Sequence, residues 1–221
     1  MSPAPKTIPL PLVFEDVALF PLDGVALLPH ALLPLHVFEP RYRALVAEVL
    51  AKDGWISIPQ FAPGWESQYE DCPPLVPTCG VGRIVRHQAM PDGRSNIVIL
   101  GVARGYISHE YPLEGPFRRA RLIRRDEGPG SPGLSRHVHD LRQALLQLAM
   151  QRPDIRSELL KMADPQRVGE ELADILAPLS LRLPVDRQRF LEEDDPAARA
   201  ALVLGSVVSL LENTRAEATE A

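Results

Sequence analysis

Twenty-three of the 221 residues are proline, and sixteen of these lie in the first 120. Proline lacks the N–H that a helix interior needs and its ring collides with the preceding turn, so this region cannot consist of long helices. Nine of the 14 glycines and all but one of the aromatic side chains also fall at or before Phe117. Turn formers interleaved with aromatic and β-branched residues describe many short strands. Beyond them the chain is rich in Leu, Ala, Arg and Glu, which favour helices. The seam reads Asp-Glu-Gly-Pro-Gly-Ser-Pro-Gly over residues 126–133, a linker by its punctuation. The expected organisation is α+β, with a strand unit at 8–126, a linker at 127–133 and a helical bundle at 134–215. A chain of this length buries roughly 70% of its extended surface on folding, so neither a disulfide nor a metal is needed to hold it.

Within the strand unit, residues 80–87 and 95–102 flank Pro91-Asp92-Gly93, and Asp-Gly between apolar runs is a strong hairpin signal. Further strands are expected at 17–22, 32–38, 101–108 and 117–124. One helix interrupts them at 40–50, with Pro40 in the first turn and Tyr42, Leu45, Val46 and Val49 on one face. Local connections of this kind suggest a small antiparallel barrel with one inserted helix. In the second half, Leu134, Val138, Leu141, Leu145 and Leu148 form one apolar stripe; Val168, Leu172, Ile175, Leu176 and Leu179 form another. A third helix begins at Asp195-Pro196 with the stripe Ala201, Leu204, Val208, Leu211. Shorter helices are expected at 154–162 and 186–193.

The chemical motifs are mostly negative. Gly128, Gly130 and Gly133 match the spacing of a dinucleotide fingerprint, but Pro129 and Pro132 delete donors, and Asp126 and Glu127 would repel a pyrophosphate. There is no Walker loop and no nucleophile elbow. His137 and His139 stand two apart and point to different faces of a helix, which is poor for shared metal binding. Cys72 and Cys79 read as free thiols, and a site assembled from Cys79 and His87 has no motif behind it. We expect no catalytic residue, no metal and no cofactor. The first residues lack a signal-peptide pattern and no apolar run is long enough to span a bilayer, so a cytoplasmic protein without a membrane partner is expected.

Two features remain as binding candidates. Phe61, Trp65 and Tyr69 recur at steps of four within a Gly-, Pro- and acid-rich loop, and loop aromatics supply contact area at low entropy cost. The net charge of −5 hides a segregation: residues 80–125 hold nine arginines against three acids. Arg118, Arg119, Arg121 and Arg124 in this stretch could form an RNA-binding face. The same arginines could instead pair with the acidic helical half, and no aromatic interleaves them.

The run from Val17 to Tyr42, ending in Phe38-Glu39-Pro40-Arg41-Tyr42, resembles the opening of the Lon protease N-terminal (substrate-binding) domain family. Gly80-Val-Gly-Arg-Ile-Val85, Ile99-Leu-Gly-Val-Ala-Arg104 and the helical piece at 186–193 agree in order. The resemblance implies a PUA-like barrel followed by a helical bundle. It also implies binding of unfolded or partner polypeptides by a stand-alone relative without the ATPase and protease modules, an adaptor or chaperone-like member of protein quality control. RNA binding is the alternative, since PUA-like relatives include RNA binders. In that motif Glu39 and Arg41 are expected to cap or pair, with Phe38 and Tyr42 in the core.

Overall fold

The computed structural model describes residues 10–52, 54–68, 72–125, 131–166, 168 and 171–220. Six strands are arranged as β1 (Val13–Leu19), β2 (Leu32–Val37), β3 (Ile56–Ile58), β4 (Thr78–Ala89), β5 (Ser95–Glu110) and β6 (Arg119–Arg124). Helix α1 (Pro40–Lys52) sits between β2 and β3, and its buried face is Tyr42, Leu45, Val46 and Val49, as its periodicity predicts. Helices α2 (Leu134–Gln151), α3 (Arg156–Ala163), α4 (Leu172–Ser180), α5 (Pro184–Glu192) and α6 (Pro196–Glu220) follow.

The strand pairings run β2-β5-β4-β3-β1-β6, and β6 returns to β5, so five strands close a ring and β2 is appended to it. All pairs are antiparallel except β1 with β3. The purely antiparallel expectation fails there because β2 and α1 form a crossover that brings β3 back alongside β1. The two strands expected at 95–102 and 101–108 are one 16-residue strand. Its first part pairs with β2 and its last part with β6, so one strand serves both sides of the ring.

Among the described residues, three apolar clusters hold the fold together. One joins α1 to β-strand side chains such as Ile97 and Ile99, and a second fills the strand ring around Phe14, Val81 and Leu122. The third belongs to the helices, yet it also includes Ala26 and Leu28 from the segment before β2. Leu27, between them, packs into the cluster of α1 and the strands. This alternation requires the segment's backbone to press against β4 and β5. A methyl group on Gly80 would lie 1.8 Å from the Leu27 carbonyl oxygen, and one on Gly101 would lie 2.0 Å from that of Leu28. Only glycine fits at both positions. The contact is fixed by hydrogen bonds from His30 N to Gly101 O and from Gly101 N to Ala31 O, each 2.9 Å.

The helical stripes hold in part. The α2 stripe is buried at Leu134, Val138, Leu141 and Leu145, but Leu179 on α4 is 62% exposed. On α6 the buried set is Ala197, Ala200, Val203, Val207 and Leu211, whereas Val208 is exposed. Leu211 is buried as expected, while the rest of the stripe lies one position before Ala201, Leu204 and Val208. Residues 201–211 are apolar nearly all round, so periodicity alone did not choose between adjacent faces.

Both cysteines are free, with Cys72 exposed and Cys79 buried. Burial pushes the Cys79 thiol up to about 12, offset slightly by the Ser57 hydroxyl donating to its Sγ at 3.0 Å. A thiol reagent should therefore label one site per native chain and two after denaturation; rapid native labelling of both would contradict this packing. Gly101→Ala should lower stability by ~2–3 kcal/mol, the range of a rigid overpacked contact. Thermal unfolding reads this directly, and an unchanged midpoint would show that the segment yields easily.

Candidate functional site

The Phe38–Tyr42 motif opens α1. Glu39 O accepts from Tyr42 N and Arg43 N at 3.0 and 2.9 Å, and the Glu39 carboxylate accepts from Arg41 Nε at 2.9 Å. Tyr42 stacks on Phe20 with ring centres 3.9 Å apart, while its hydroxyl donates to Pro21 O at 3.3 Å. Arg41 and Tyr42 thereby become one wall of a groove. Phe38 departs from expectation: it is 60% exposed and stacks against His36. It is the first residue beyond β2, where strand alternation turns it away from the buried Val37 side.

The second wall comes from the aromatic loop. Backbone bonds from Ala62 N to Pro74 O and from Val76 N to Gln60 O, 2.8 and 2.9 Å, zip its two arms together around a Phe61–Leu75 bridge. Phe61 and Trp65 stack at 4.5 Å between centres and are both half-buried. Tyr69 lies outside the described residues. The third wall is the segment between β5 and β6. Arg118 makes a bidentate pair with Glu110 at 2.7–2.9 Å and donates to Pro73 O at 2.6 Å, joining this segment to the aromatic loop. Here Phe117 is buried while Leu113 is 55% exposed.

Together these walls enclose a cavity of about 210 Å³ lined by Arg41, Tyr42, Phe61, Leu113, Pro116 and Phe117, among others. Small-molecule sites usually offer 300–1,000 Å³, so this one suits single side chains better than a whole metabolite. On the other side of Phe117 lies a charged hollow lined by Asp16, Glu48, Lys52, Glu114 and Arg119. Lys52 pairs with Glu48 and Asp16, and Arg119 pairs with the same two carboxylates. Hydrogen bonds from Lys52 and then Arg119 hold the Glu48 carboxyl below its ordinary value.

The arginines of the basic stretch are dispersed. Arg119 and Arg121 point to the outer side of β6, where they pair with Asp16 and Glu48 and with Glu15, respectively. Arg118 and Arg124 flank the buried Ala120 and Leu122, and Arg124 donates to Leu10 O at 2.6 Å. Two more turn inward. Arg104 donates to Leu191 O and Glu193 O at the end of α5, and Arg125 donates to Glu192 O and pairs with Asp194. These guanidiniums sit at the negative pole of α5, where cations are favoured. Cys79 is in the core while His87 is exposed eight residues along β4, so the two do not converge. Among the described residues no cluster of His, Cys, Asp and Glu could hold a metal ion.

Sequence reasoning missed Arg41, Leu113 and Phe117 as groove residues; the available signal was Leu113 flanked by Pro112 and Pro116 in a loop. It also missed an apolar outer sheet face, where Leu32 is 64% and Val85 53% exposed beside Val98 and Leu100.

Fold and groove define a class: an α+β domain, part strand ring and part helical bundle, with a loop-built apolar hollow. The family model for the ATP-dependent protease La (LON) substrate-binding domain matches residues 16–209, and the chain belongs to this family. It is 28% identical over 226 residues to Lon protease 2 of Sorangium cellulosum, covering 97% of this chain and 27% of that protein. It is 31% identical over 218 residues to the Lon protease of Roseiflexus castenholzii, covering 97% and 26%. The chain thus spans about a quarter of the length of these curated relatives. The fold is similar to the N-terminal domain of Mycobacterium avium complex Lon protease, with TM-score 0.64 and 16% identity over 88% of this chain and 98% of that one. It is also similar to a Lon N-terminal domain protein from Xanthomonas campestris, with TM-score 0.58 and 21% identity over 86% and 97%. Among the described residues no helix is long and apolar enough to cross a membrane.

The charged hollow makes a pH prediction. Glu48 titrates lower folded than unfolded, so its stabilising share is present above about 4.5 and is lost as pH falls through the lower folded value. The urea midpoint should drop over this window, and Glu48→Gln should flatten the drop. An unaltered slope in the variant would remove the carboxylate from the account.

Proposed function

We propose that this chain binds unfolded or extended polypeptide without catalysing a reaction, taking apolar side chains into the groove beside Phe61. The observation that carries the reading is the stacked Phe61–Trp65 pair standing next to exposed Leu113 over a hollow of side-chain size. Such a surface offers apolar contact at fixed positions. Membership in a substrate-binding family supports polypeptide as the ligand class. An adaptor or chaperone-like role in cytoplasmic protein quality control fits the same surface. We read the strand ring at 8–126 as a PUA-like barrel and 134–215 as a separate bundle subdomain. The RNA reading gains nothing from Arg118, Arg119 and Arg121, whose guanidiniums face carboxylates rather than a common surface.

Leu113→Ser tests the groove with least risk to folding, because its side chain is exposed. It should weaken binding of a fluorescently labelled denatured protein about 5–30-fold, as expected for losing ~1–2 kcal/mol of apolar contact. Phe61, Trp65 and Tyr69 changed together to Ser should weaken it further. Retained affinity in a folded Leu113→Ser protein would place the ligand elsewhere. Incubation with ATP and casein should show turnover of neither; turnover of either would overturn the non-enzymatic reading.

A further inference from the structure

The helical part holds a larger hollow, of about 450 Å³, where α2, α3, α4 and α6 meet. Unlike the groove beside Phe61, it is as roomy as small-molecule sites usually are. Its floor is apolar and buried at Leu145, Leu159, Leu176 and Val207. Leu179 also lines it. The spacing of the α4 stripe marks this residue as a core side chain, yet it is 62% exposed. A hydrocarbon chain lying in the hollow would cover it, and the flexible Met162 side chain on the same lining can adapt to such a chain.

Two polar side chains stand open at one edge. Arg182, just past α4, and Asn213 of α6 line this hollow and also the neighbouring one over Gly205, so they mark where the two meet. Among the described residues neither side chain has a hydrogen bond or an ion pair. Asp186 lines only the neighbouring hollow. Of the other charged groups on the lining, Arg152 is held by Asp154 at 2.7 and 2.9 Å, and Glu158 belongs to the α3 side. Guanidinium and side-chain amide N–H groups both donate, and a carboxylate accepts them through two oxygens. An apolar floor with open donors and one positive charge at its edge is complementary to an amphiphile with an anionic head.

We propose that the hollow between α2, α3, α4 and α6 binds a single-chain fatty carboxylate, its hydrocarbon between Leu179 and the buried floor and its head group on Arg182 and Asn213. The site is separate from the groove beside Phe61, and its test does not depend on polypeptide binding.

The probes are hexanoate, octanoate and decanoate, each titrated below its aggregation threshold into the full chain while binding heat is recorded, with decanol as the uncharged comparison. The carboxylates should saturate one site per chain, with affinity rising about fourfold for each added methylene. Arg182→Gln should weaken decanoate about tenfold, the loss of one charge-assisted hydrogen bond, and leave decanol binding as it was. Leu179→Asp, at an exposed position, should abolish decanoate binding, and Arg136→Gln, on an exposed arginine of α2, should keep it. If Leu179→Asp does not fold, Arg182→Gln decides the matter. Uptake without saturation, decanol bound as tightly as decanoate, or decanoate affinity that survives Arg182→Gln overturns the site.

Discussion

The close approach of the Leu27–Leu28 backbone to Gly80 and Gly101 is the constraint on which the rest of the molecule depends. It places one short segment between strand ring and helices, so that successive side chains fill different cores. A side chain at either glycine would push the segment outward and separate Ala26 and Leu28 from the helical cluster. Because the ordering of many groups is shared through this contact, the two parts should unfold together rather than in sequence.

A second junction relies on charge. The carbonyls ending α5 receive Arg104 and Arg125, and Gln188 of the same helix donates to Thr78 O at 2.9 Å. The basic stretch so conspicuous in the sequence is therefore largely consumed inside the molecule, by helix-end carbonyls and nearby carboxylates. Meanwhile Arg118 fastens two loops to each other and leaves Leu113 exposed between them. Rigid attachment of loops around an open apolar hollow is what a binding surface needs, since less ordering remains to be done when the ligand arrives.

Much of this was legible in the residues. The Asp92-Gly93 turn, Pro40 at the start of α1, and the α1 and α2 stripes each carry a local signal that the fold obeys. Failures occurred where local signals were degenerate or where tertiary contact decided. Phe38 looked like core but sits just past the strand whose alternation turns it outward. Residues 201–211 were apolar on two faces, and packing against α2 and α4 selected one. The groove itself was half visible. Phe61 and Trp65 stood out as loop aromatics, but no spacing links them to Leu113, fifty residues away, because the Arg118–Pro73 bond that joins their loops is a long-range contact.

The central claim is that polypeptide occupies the hollow beside Phe61 and not another apolar patch of the surface. Backbone amide chemical shifts recorded during titration with a denatured protein segment test this residue by residue. The account predicts that the perturbed amides cluster at residues 41–42, 61–65 and 113–118. Perturbations confined to the outer sheet face around Leu32, Val85 and Val98, with the groove silent, would contradict it.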